Sequence, residues 1–244
     1  MLRVEGLTVR VEARTLVTNF SCELREGRIT CLIGPSGCGK TSVLKWLAGI
    51  LPPGIEAKGR VTLDGAPILR PHPSISYQPQ SDALFPWLTV TDNAALGLEM
   101  AGLPRRAARE KVADLFVPFG LSGCEDLYPD QVSGGMRQRA AFLRTIVQDS
   151  RFVLLDEPFS ALDAVTRLRM QDWLCARLAE TLRGVLMVTH DLHEATQMAD
   201  HILVMSARLG PLVADIPITT PRERRSEVAL AEIRTTLRTL LLKE

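Results

Sequence analysis

The N-terminal part of the chain alternates between apolar and polar positions, which is the pattern of half-buried β-strands. Segments 2–11 and 16–24 follow this alternation, and a turn then leads into the apolar run 29–33. Segments 59–65 and 74–77 predict further short strands, the first of them ended by an Asp-Gly turn. We therefore expect an antiparallel β region at the start of the chain.

The middle of the chain shows helical periodicity and no strand pattern. Segments 89–101, 104–119 and 133–148 are each predicted to be helical, the first behind an N-cap residue and the second behind a proline. Because residues 82–148 contribute helices only, we expect them to form a helical lobe inserted into the rest of the fold.

Strand patterns return in the second half of the chain. The runs 151–156, 184–189 and 201–205 are mostly apolar, as expected for strands that are buried on both faces. Helical patterns at 164–182 and 192–199 separate them. This strand–helix–strand alternation predicts an α/β protein in which a parallel sheet carries helices on both faces.

A length of 244 residues is enough for one substantial core with a smaller attached lobe. We predict a catalytic core of residues 1–81 and 149–220, a helical subdomain of residues 82–148 and a C-terminal helix within residues 221–244. Apolar side chains on one face of this helix are expected to pack on the core rather than bind a partner. These side chains belong to Leu230, Ile233, Leu237, Leu240 and Leu241.

Composition and charge indicate which partners and which cellular compartment to expect. The 29 basic and 28 acidic residues give a net charge of +1, so no overall field favours nucleic acid or an anionic membrane as a partner. The five cysteines are odd in number and form no Cys-x-x-Cys pair, which favours a reducing compartment. No apolar run approaches the length of a membrane span or a signal peptide. We therefore expect a cytoplasmic protein.

A glycine-rich loop joins the apolar run 29–33 to the helical pattern that starts at Ser42. It fits Gly-x-x-x-x-Gly-Lys-[Ser/Thr], the phosphate-binding loop, whose glycines let backbone N–H groups point at phosphate oxygens. Lys40 would add charge at the β- and γ-phosphates, and the Thr41 hydroxyl would hold Mg²⁺. The predicted nucleotide-binding residues are Gly34, Pro35, Ser36, Gly37, Cys38, Gly39, Lys40, Thr41 and Ser42.

Two acidic residues, Asp156 and Glu157, follow the buried strand 152–155. Buried carboxylates without partners are costly, so their presence needs a reason. In phosphoryl transfer one carboxylate holds Mg²⁺ while its neighbour orients the attacking water or accepts its proton. We assign Asp156 to the metal and Glu157 to the water; the alternative is an ordinary turn at the end of a strand.

Two further features point to anion chemistry. His190 follows a buried strand at the edge where parallel sheets bind their ligands, so its imidazole could contact a γ-phosphate or position Glu157. The alternative for a single histidine is a structural role. Ser133, Gly134 and Gly135 open a helix, and their hydroxyl and backbone N–H groups form an anion site by geometry.

These motifs, in this order, resemble one family, the ATP-binding cassette (ABC) ATPases, over essentially the whole chain. The resemblance implies an α/β P-loop NTPase fold: a mainly parallel sheet flanked by helices, with an N-terminal antiparallel β subdomain and an inserted helical subdomain. The motifs are a Walker A loop at 34–41, a Q-loop at Gln80, a signature at 132–136, a Walker B strand at 152–157, a D-loop at 160–163 and a switch histidine at His190.

The resemblance further implies an ATPase that uses ATP and Mg²⁺ and forms a head-to-tail homodimer around two ATP molecules. Ser133, Gly134 and Gly135 would face the phosphate loop of the second ATPase subunit, and Asp163 would lie across the seam. The catalytic residues would be Glu157, His190 and Gln80. A single subunit is then expected to bind nucleotide but to hydrolyse it poorly.

Gln80 would sense the γ-phosphate and complete a metal set with Thr41 and Asp156. Gln78 is a competing candidate for the Q-loop glutamine. The residues that follow align better with importers of the family when Gln80 is used.

Two motifs depart from the family pattern. Val11 stands where many members have an aromatic residue that stacks on adenine, so weaker selectivity for the base is a hypothesis. The signature at 132–136 is Val-Ser-Gly-Gly-Met rather than Leu-Ser-Gly-Gly-Gln. The part that touches phosphate, Ser-Gly-Gly, is retained, so we expect its function to survive.

The family resemblance also implies a membrane partner. Segment 84–88 is apolar and aromatic and lies where the family docks the coupling helix of a permease; the alternative is that it belongs to the core of the helical lobe. Segments 84–90 and 189–195 are most similar to bacterial importers of nitrate, sulfonates, taurine and thiamine precursors, which are fed by an extracytoplasmic solute-binding protein. We expect a position on the inner face of the cell membrane.

The sequence is also compatible with three other functional classes. An exporter subunit, a soluble cassette of the repair or translation type, and a cassette that binds ATP without turning it over are the alternatives. The soluble type usually carries two cassettes or a long coiled-coil insertion, and the presence of both Glu157 and His190 favours turnover.

Overall fold

The computed structural model describes residues 1–12, 14–206 and 211–242. Its strands and helices alternate as the sequence pattern predicts, with the antiparallel strands first and the helical block in the middle. In chain order the elements are β1 (Leu2–Val11), β2 (Arg14–Leu24), β3 (Ile29–Ile33), α1 (Lys40–Ala48), β4 (Ile55–Leu63), β5 (Ala66–Pro67), β6 (Ile75–Gln78), α2 (Val90–Met100), α3 (Arg105–Ala113), α4 (Gly134–Ile146), β7 (Phe152–Asp156), α5 (Ala164–Thr181), β8 (Gly184–Val188), α6 (Leu192–Met198), β9 (His201–Met205), β10 (Leu212–Pro217) and α7 (Glu227–Leu242).

The strands form two sheets. The first is antiparallel with the order β2-β1-β4-β5, and the second has the order β10-β9-β3-β8-β7-β6. In the second sheet every neighbouring pair is parallel except β10 with β9. The predicted α/β fold with a mainly parallel sheet and an N-terminal antiparallel β region is therefore confirmed.

Strands β3, β7 and β8 are buried along their whole length because the second sheet is covered on both faces. Alternate residues of β3 serve two different cores. Cys31 lies in the core shared with the helices of the middle block and the C-terminal helix, whereas Leu32 lies in the core between the two sheets. This double coverage explains why these strands are continuous apolar runs.

The C-terminal helix packs on the core, as its apolar face predicts. Leu230 and Leu237 are fully buried, and Ile233, Leu240 and Leu241 pack against the same cluster. None of the helices in the described ranges combines the length and apolarity needed to cross a bilayer.

Three details differ from the expectations. The helix predicted at 104–119 ends at Ala113, and turns follow it, since Pro118 cannot donate to a helical ladder and Gly120 has φ of 62°. Strand β4 starts at Ile55 rather than at residue 59. Strand β10 was not predicted, because an edge strand that is half exposed carries no buried apolar run.

Residues 82–148 hold α2, α3 and α4, and the structure assigns no strand within them. The proposed division into a catalytic core of residues 1–81 and 149–220, a helical subdomain and a C-terminal helix stays a prediction.

Candidate nucleotide site

The glycine-rich loop connects β3 to the first residue of α1. Gly39 precedes that helix with φ of 100°, and a Cβ placed on it would come within 2.5 Å of Val17 Cγ2 in the antiparallel sheet. Glycine is therefore required at this position by backbone conformation and by space. Gly37 also has a positive φ, but a Cβ there would meet no atom within 4 Å, so the loop is open on that side.

Lys40 is 8% exposed and lies inside this loop. Its Nζ donates to the carbonyl oxygens of Gly34, at 2.7 Å, and of Pro35, at 2.8 Å. These acceptors are neutral, so the ammonium charge is available to an anion. Gly39 offers no side-chain cap, which leaves the N–H groups of the first turn of α1 available to the same anion.

Asp156 ends β7 beside the phosphate loop and is 1% exposed. Its carboxylate accepts hydrogen bonds from Thr41 Oγ1, at 3.1 Å, and from Tyr77 Oη, at 3.3 Å. Burial raises the pKa of Asp156, and the two hydrogen bonds oppose that shift. Tyr77 was missed by the sequence reasoning, because only the pairing of β6 with β7 brings it to this carboxylate.

The Thr41–Asp156 pair fits Mg²⁺. A hydroxyl and one carboxylate are the ligands this ion takes from a protein when phosphate and water supply the rest of its octahedral shell. Within the described ranges there is no cluster of three or more histidine, cysteine or acidic side chains that could hold a metal unaided. The donor set thus suits a cation that arrives with a nucleotide.

Glu157 contacts two of the other predicted site residues. Its Oε2 accepts from Gln80 Nε2 at 3.1 Å, and its Oε1 lies 3.3 Å from His190 Nδ1. Glu157 itself has a left-handed backbone, with φ of 48°, held by a hydrogen bond from its N–H to the carbonyl of Val188. Such a conformation costs a non-glycine residue about 1–3 kcal/mol and turns this side chain out of the line of β7.

Gln78 is not part of this arrangement. It is fully buried in β6, and neither polar atom of its amide has a hydrogen-bond partner among the described residues. Gln80, two residues further on and outside the strand, is the glutamine that reaches Glu157.

The predicted anion site at Ser133 lies at the N-terminus of α4. Ser133 caps this helix by accepting a hydrogen bond from the Met136 N–H at 3.3 Å, and both Ser133 and Gly134 are exposed. Asp163 caps α5 in the same way through Thr166, and these backbone hydrogen bonds lower the pKa of Asp163. No hydrogen bond in the described part of the chain joins Ser133 to the phosphate loop of its own subunit.

The apolar segment that follows Gln80 presents an aromatic pair. Phe85 and Trp87 have ring centroids 5.3 Å apart, and Trp87 is 70% exposed. Asn93 holds this segment by donating to the carbonyls of Phe85 and Leu88, among others. Leu84 packs against the core, so the helical-core alternative is right for Leu84 but wrong for Trp87.

Val11 ends β1 and pairs with Arg14 and Ile55. The hairpin that follows it lies near the phosphate loop, since Val17 is the residue that a Cβ on Gly39 would strike. The sequence between Val11 and Phe20 contains no aromatic residue that could stack on a base here.

Comparison with known proteins agrees with the family resemblance of the sequence motifs. The ABC transporter family matches residues 17–160. The chain is 42% identical over 202 residues to a taurine import ATP-binding protein, TauB, of Burkholderia thailandensis, which covers 83% of this chain and 76% of the relative. It is 37% identical over 213 residues to the protein of the same name in Yersinia pestis, covering 87% of this chain and 82% of that one.

Solved structures share the fold. The dimeric structure of a bacterial ABC transporter cassette superposes with a TM-score of 0.80 at 22% identity, covering 91% of this chain and 100% of the other. A post-hydrolysis state of the same cassette, bound to ADP and Pi, gives a TM-score of 0.79 at 23% identity with the same coverage.

Proposed function

We propose, from the premise that this chain belongs to the ABC transporter family, that it is the ATP-hydrolysing subunit of a solute importer. The observation that carries the proposal is the convergence of Gln80 and His190 on the carboxylate of Glu157, next to the Thr41–Asp156 pair. An open phosphate loop, a metal-binding pair and a hydrogen-bonded carboxylate at one sheet edge are what ATP hydrolysis requires.

Each residue has a distinct part in this mechanism. The loop N–H groups and Lys40 bind the phosphates of ATP, and Thr41 and Asp156 would hold Mg²⁺, which neutralises phosphate charge when bound. Glu157 orients the attacking water and accepts its proton. His190 and Gln80 fix the direction of that carboxylate.

The working unit is a homodimer. Ser133, Gly134 and Gly135 lie at a helix N-terminus where Ser133 and Gly134 are exposed, and within the described ranges this terminus makes no hydrogen bond to the phosphate loop of its own subunit. The γ-phosphate of ATP bound to a second copy satisfies it. The cassette with a similar fold that was solved as a dimer supports this arrangement.

An importer subunit needs a membrane permease as its partner and a solute to transport. The exposed Phe85–Trp87 pair offers a rigid apolar surface for a helix of an integral membrane permease, which holds the subunit on the inner face of the membrane. The taurine import relatives make sulfonates the first solute class to test, delivered by an extracytoplasmic binding protein.

The first test is the variant Glu157→Gln. It keeps the size of the side chain but removes the base, so we expect ATP turnover to fall by about 100-fold or more while ATP-dependent dimers accumulate. Steady-state phosphate release and size-exclusion chromatography measure both effects. Glu110→Gln, on an exposed face of α3, is the matched control, and undiminished turnover by the Glu157 variant would remove this residue from its role.

The second test concerns the partner. Trp87→Ser should reduce copurification with an integral membrane permease, whereas Val228→Ser, which changes an exposed apolar residue on α7, should not. A chain that never associates with membranes would favour the soluble ABC ATPase, and solute movement outward in reconstituted vesicles would favour an exporter.

A further inference from the structure

Three buried polar side chains form a hydrogen-bonded cluster that begins at Thr189, the residue before His190. Thr189, Glu194 and Gln171 are 2%, 5% and 6% exposed. The Thr189 hydroxyl donates to one carboxylate oxygen of Glu194, and Gln171 Nε2 donates to the other at 2.9 Å. Burial raises the pKa of Glu194, and both hydrogen bonds oppose that shift.

The same hydroxyl fixes the backbone on the far side of His190. Thr189 Oγ1 accepts from the Asp191 N–H at 3.1 Å, so the residues before and after His190 are joined through one atom. Asp191 in turn caps α6 through the N–H groups of His193 and Glu194. The backbone at His190 is therefore held from both sides.

The His190 imidazole itself lies at the surface. The His190 side chain is 68% exposed, yet its Nδ1 lies 3.3 Å from the carboxylate of Glu157. An exposed side chain loses conformational entropy when it is held in one direction, so a rigid backbone beneath it lowers the cost. Thr189, Glu194, His190 and Glu157 also line one small cavity of about 40 Å³, which is large enough for water.

A second set of contacts leads to the start of α5. Arg167 Nη2 donates to the carbonyl of Leu162 at 3.2 Å, next to Asp163, and Arg167 Nη1 lies 3.6 Å from Asp191 Oδ2. Gln171 lies one turn further along the same helix. Two polar links therefore join the Asp163 end of α5 to the turn that carries His190.

We infer that Glu194 and Thr189 are positioning residues that hold His190 against Glu157, and that Gln171 ties them to the helix that begins at Asp163. This inference rests on the proposed ATPase function. If this cluster only stabilised the fold, well-packed apolar side chains would serve equally well, because replacing buried charged groups with such side chains is often neutral or stabilising. The inference therefore predicts a loss of turnover that depends on His190.

The decisive variant is Thr189→Val, which keeps the shape of the side chain and removes its hydroxyl. We expect kcat for ATP hydrolysis to fall by about 10- to 100-fold, as small misplacement of a catalytic group does, while KM for ATP stays within about twofold. Thr189→Ser should restore most of the loss. Thr145→Val, which removes a buried hydroxyl that bonds to Ala141 within α4, is the control for the loss of any such group.

The double variant with His190→Ala separates positioning from independent effects. If Thr189 acts through His190, the Thr189→Val change should cost nothing further in the His190→Ala background. If Thr189→Val does not fold, Gln171→Met takes its place in the same cycle, because it removes the donor to Glu194 while nearly keeping the volume of the side chain.

The outcomes are distinct. Equal losses from the Thr189 change in both backgrounds, or full kcat in Thr189→Val beside an impaired His190→Ala, would overturn this inference and leave the ATPase assignment standing. Full turnover by His190→Ala would remove His190 from the proposed site and this inference with it. Thermal unfolding of each variant shows that the comparison is made on folded protein.

Discussion

The contacts of a few single residues bring the ends of β3, β6 and β7 together in one candidate site. Glu157 accepts an unfavourable positive φ, and its carboxylate then lies within reach of Gln80 and His190 rather than in the strand interior. Gln78 shows the opposite arrangement, a polar side chain held inside a strand with no partner in the described part of the structure. Position relative to the strand end, rather than residue type, separates the two glutamines.

The two glutamines should respond differently to mutation. Gln78→Met removes an amide without partners, so we expect the free energy of unfolding to rise by about 1–3 kcal/mol. Gln80→Ala removes a hydrogen bond to Glu157 and should lower kcat about 10- to 100-fold with little effect on stability. Urea unfolding and phosphate release measure both. A loss of turnover in Gln78→Met alone would reassign the Q-loop.

Two glycines of the phosphate loop offer a second contrast. Gly39→Ala would place a Cβ 2.5 Å from Val17, so we expect loss of nucleotide binding and a large loss of stability. Gly37→Ala meets no atom and suffers only from its positive φ, at a cost of about 1–2 kcal/mol. Thermal unfolding ranks the two, and equal destabilisation would show that backbone strain alone governs the loop.

At the scale of elements, α4 is bound to the segment that follows Gln80. Arg137 Nε contacts Asp82 Oδ2 at 2.9 Å, and Arg144 donates to the carbonyls of Asp82 and Ala83. Ser133 caps α4, so this helix connects the segment that follows Gln80 to the surface that we propose faces a second subunit. The proposed nucleotide site and the proposed dimer surface are thereby linked through one helix.

The C-terminal helix α7 stabilises the fold by packing its apolar face on the core. Leu237→Ala would remove a fully buried side chain and should lower the free energy of unfolding by about 2–5 kcal/mol. Val228→Ala, on the exposed face of the same helix, should change it by less than about 0.5 kcal/mol. Chemical denaturation of both variants tests this, and equal effects would mean that α7 is not docked in solution.

For the whole molecule, one ion-pair network joins the two sheets. Arg151, just before β7, contacts Glu26, just before β3, and reaches Asp64 at the end of β4 at 2.8 Å. The N-terminal amine of Met1 lies 2.7 Å from Asp64 as well. The hydrogen bond from Arg151 is the main cause that lowers the pKa of Asp64 to about 2.

This network predicts a pH dependence of stability. The pKa of Asp64 is lower in the folded chain than the value of about 4 expected when unfolded, so its contribution is present above pH 4 and is lost as pH falls through 2. The stability difference between the wild type and Asp64→Asn should therefore be largest near neutral pH and should shrink between pH 4 and 2. A difference that does not change with pH would contradict this.

Local patterns determined much of this protein. The phosphate loop, the buried runs and the starts of α2 and α4 depend on residues close together in the chain, so glycine spacing, hydrophobic period and cap chemistry predict them. The contact of Gln80 with Glu157, the hydrogen bond from Tyr77 to Asp156 and strand β10 depend on how distant segments pair, as does the Thr189–Glu194–Gln171 cluster. Only the tertiary structure decides these, because strand register and helix packing determine which side chains meet, and both involve contacts between residues far apart in the sequence.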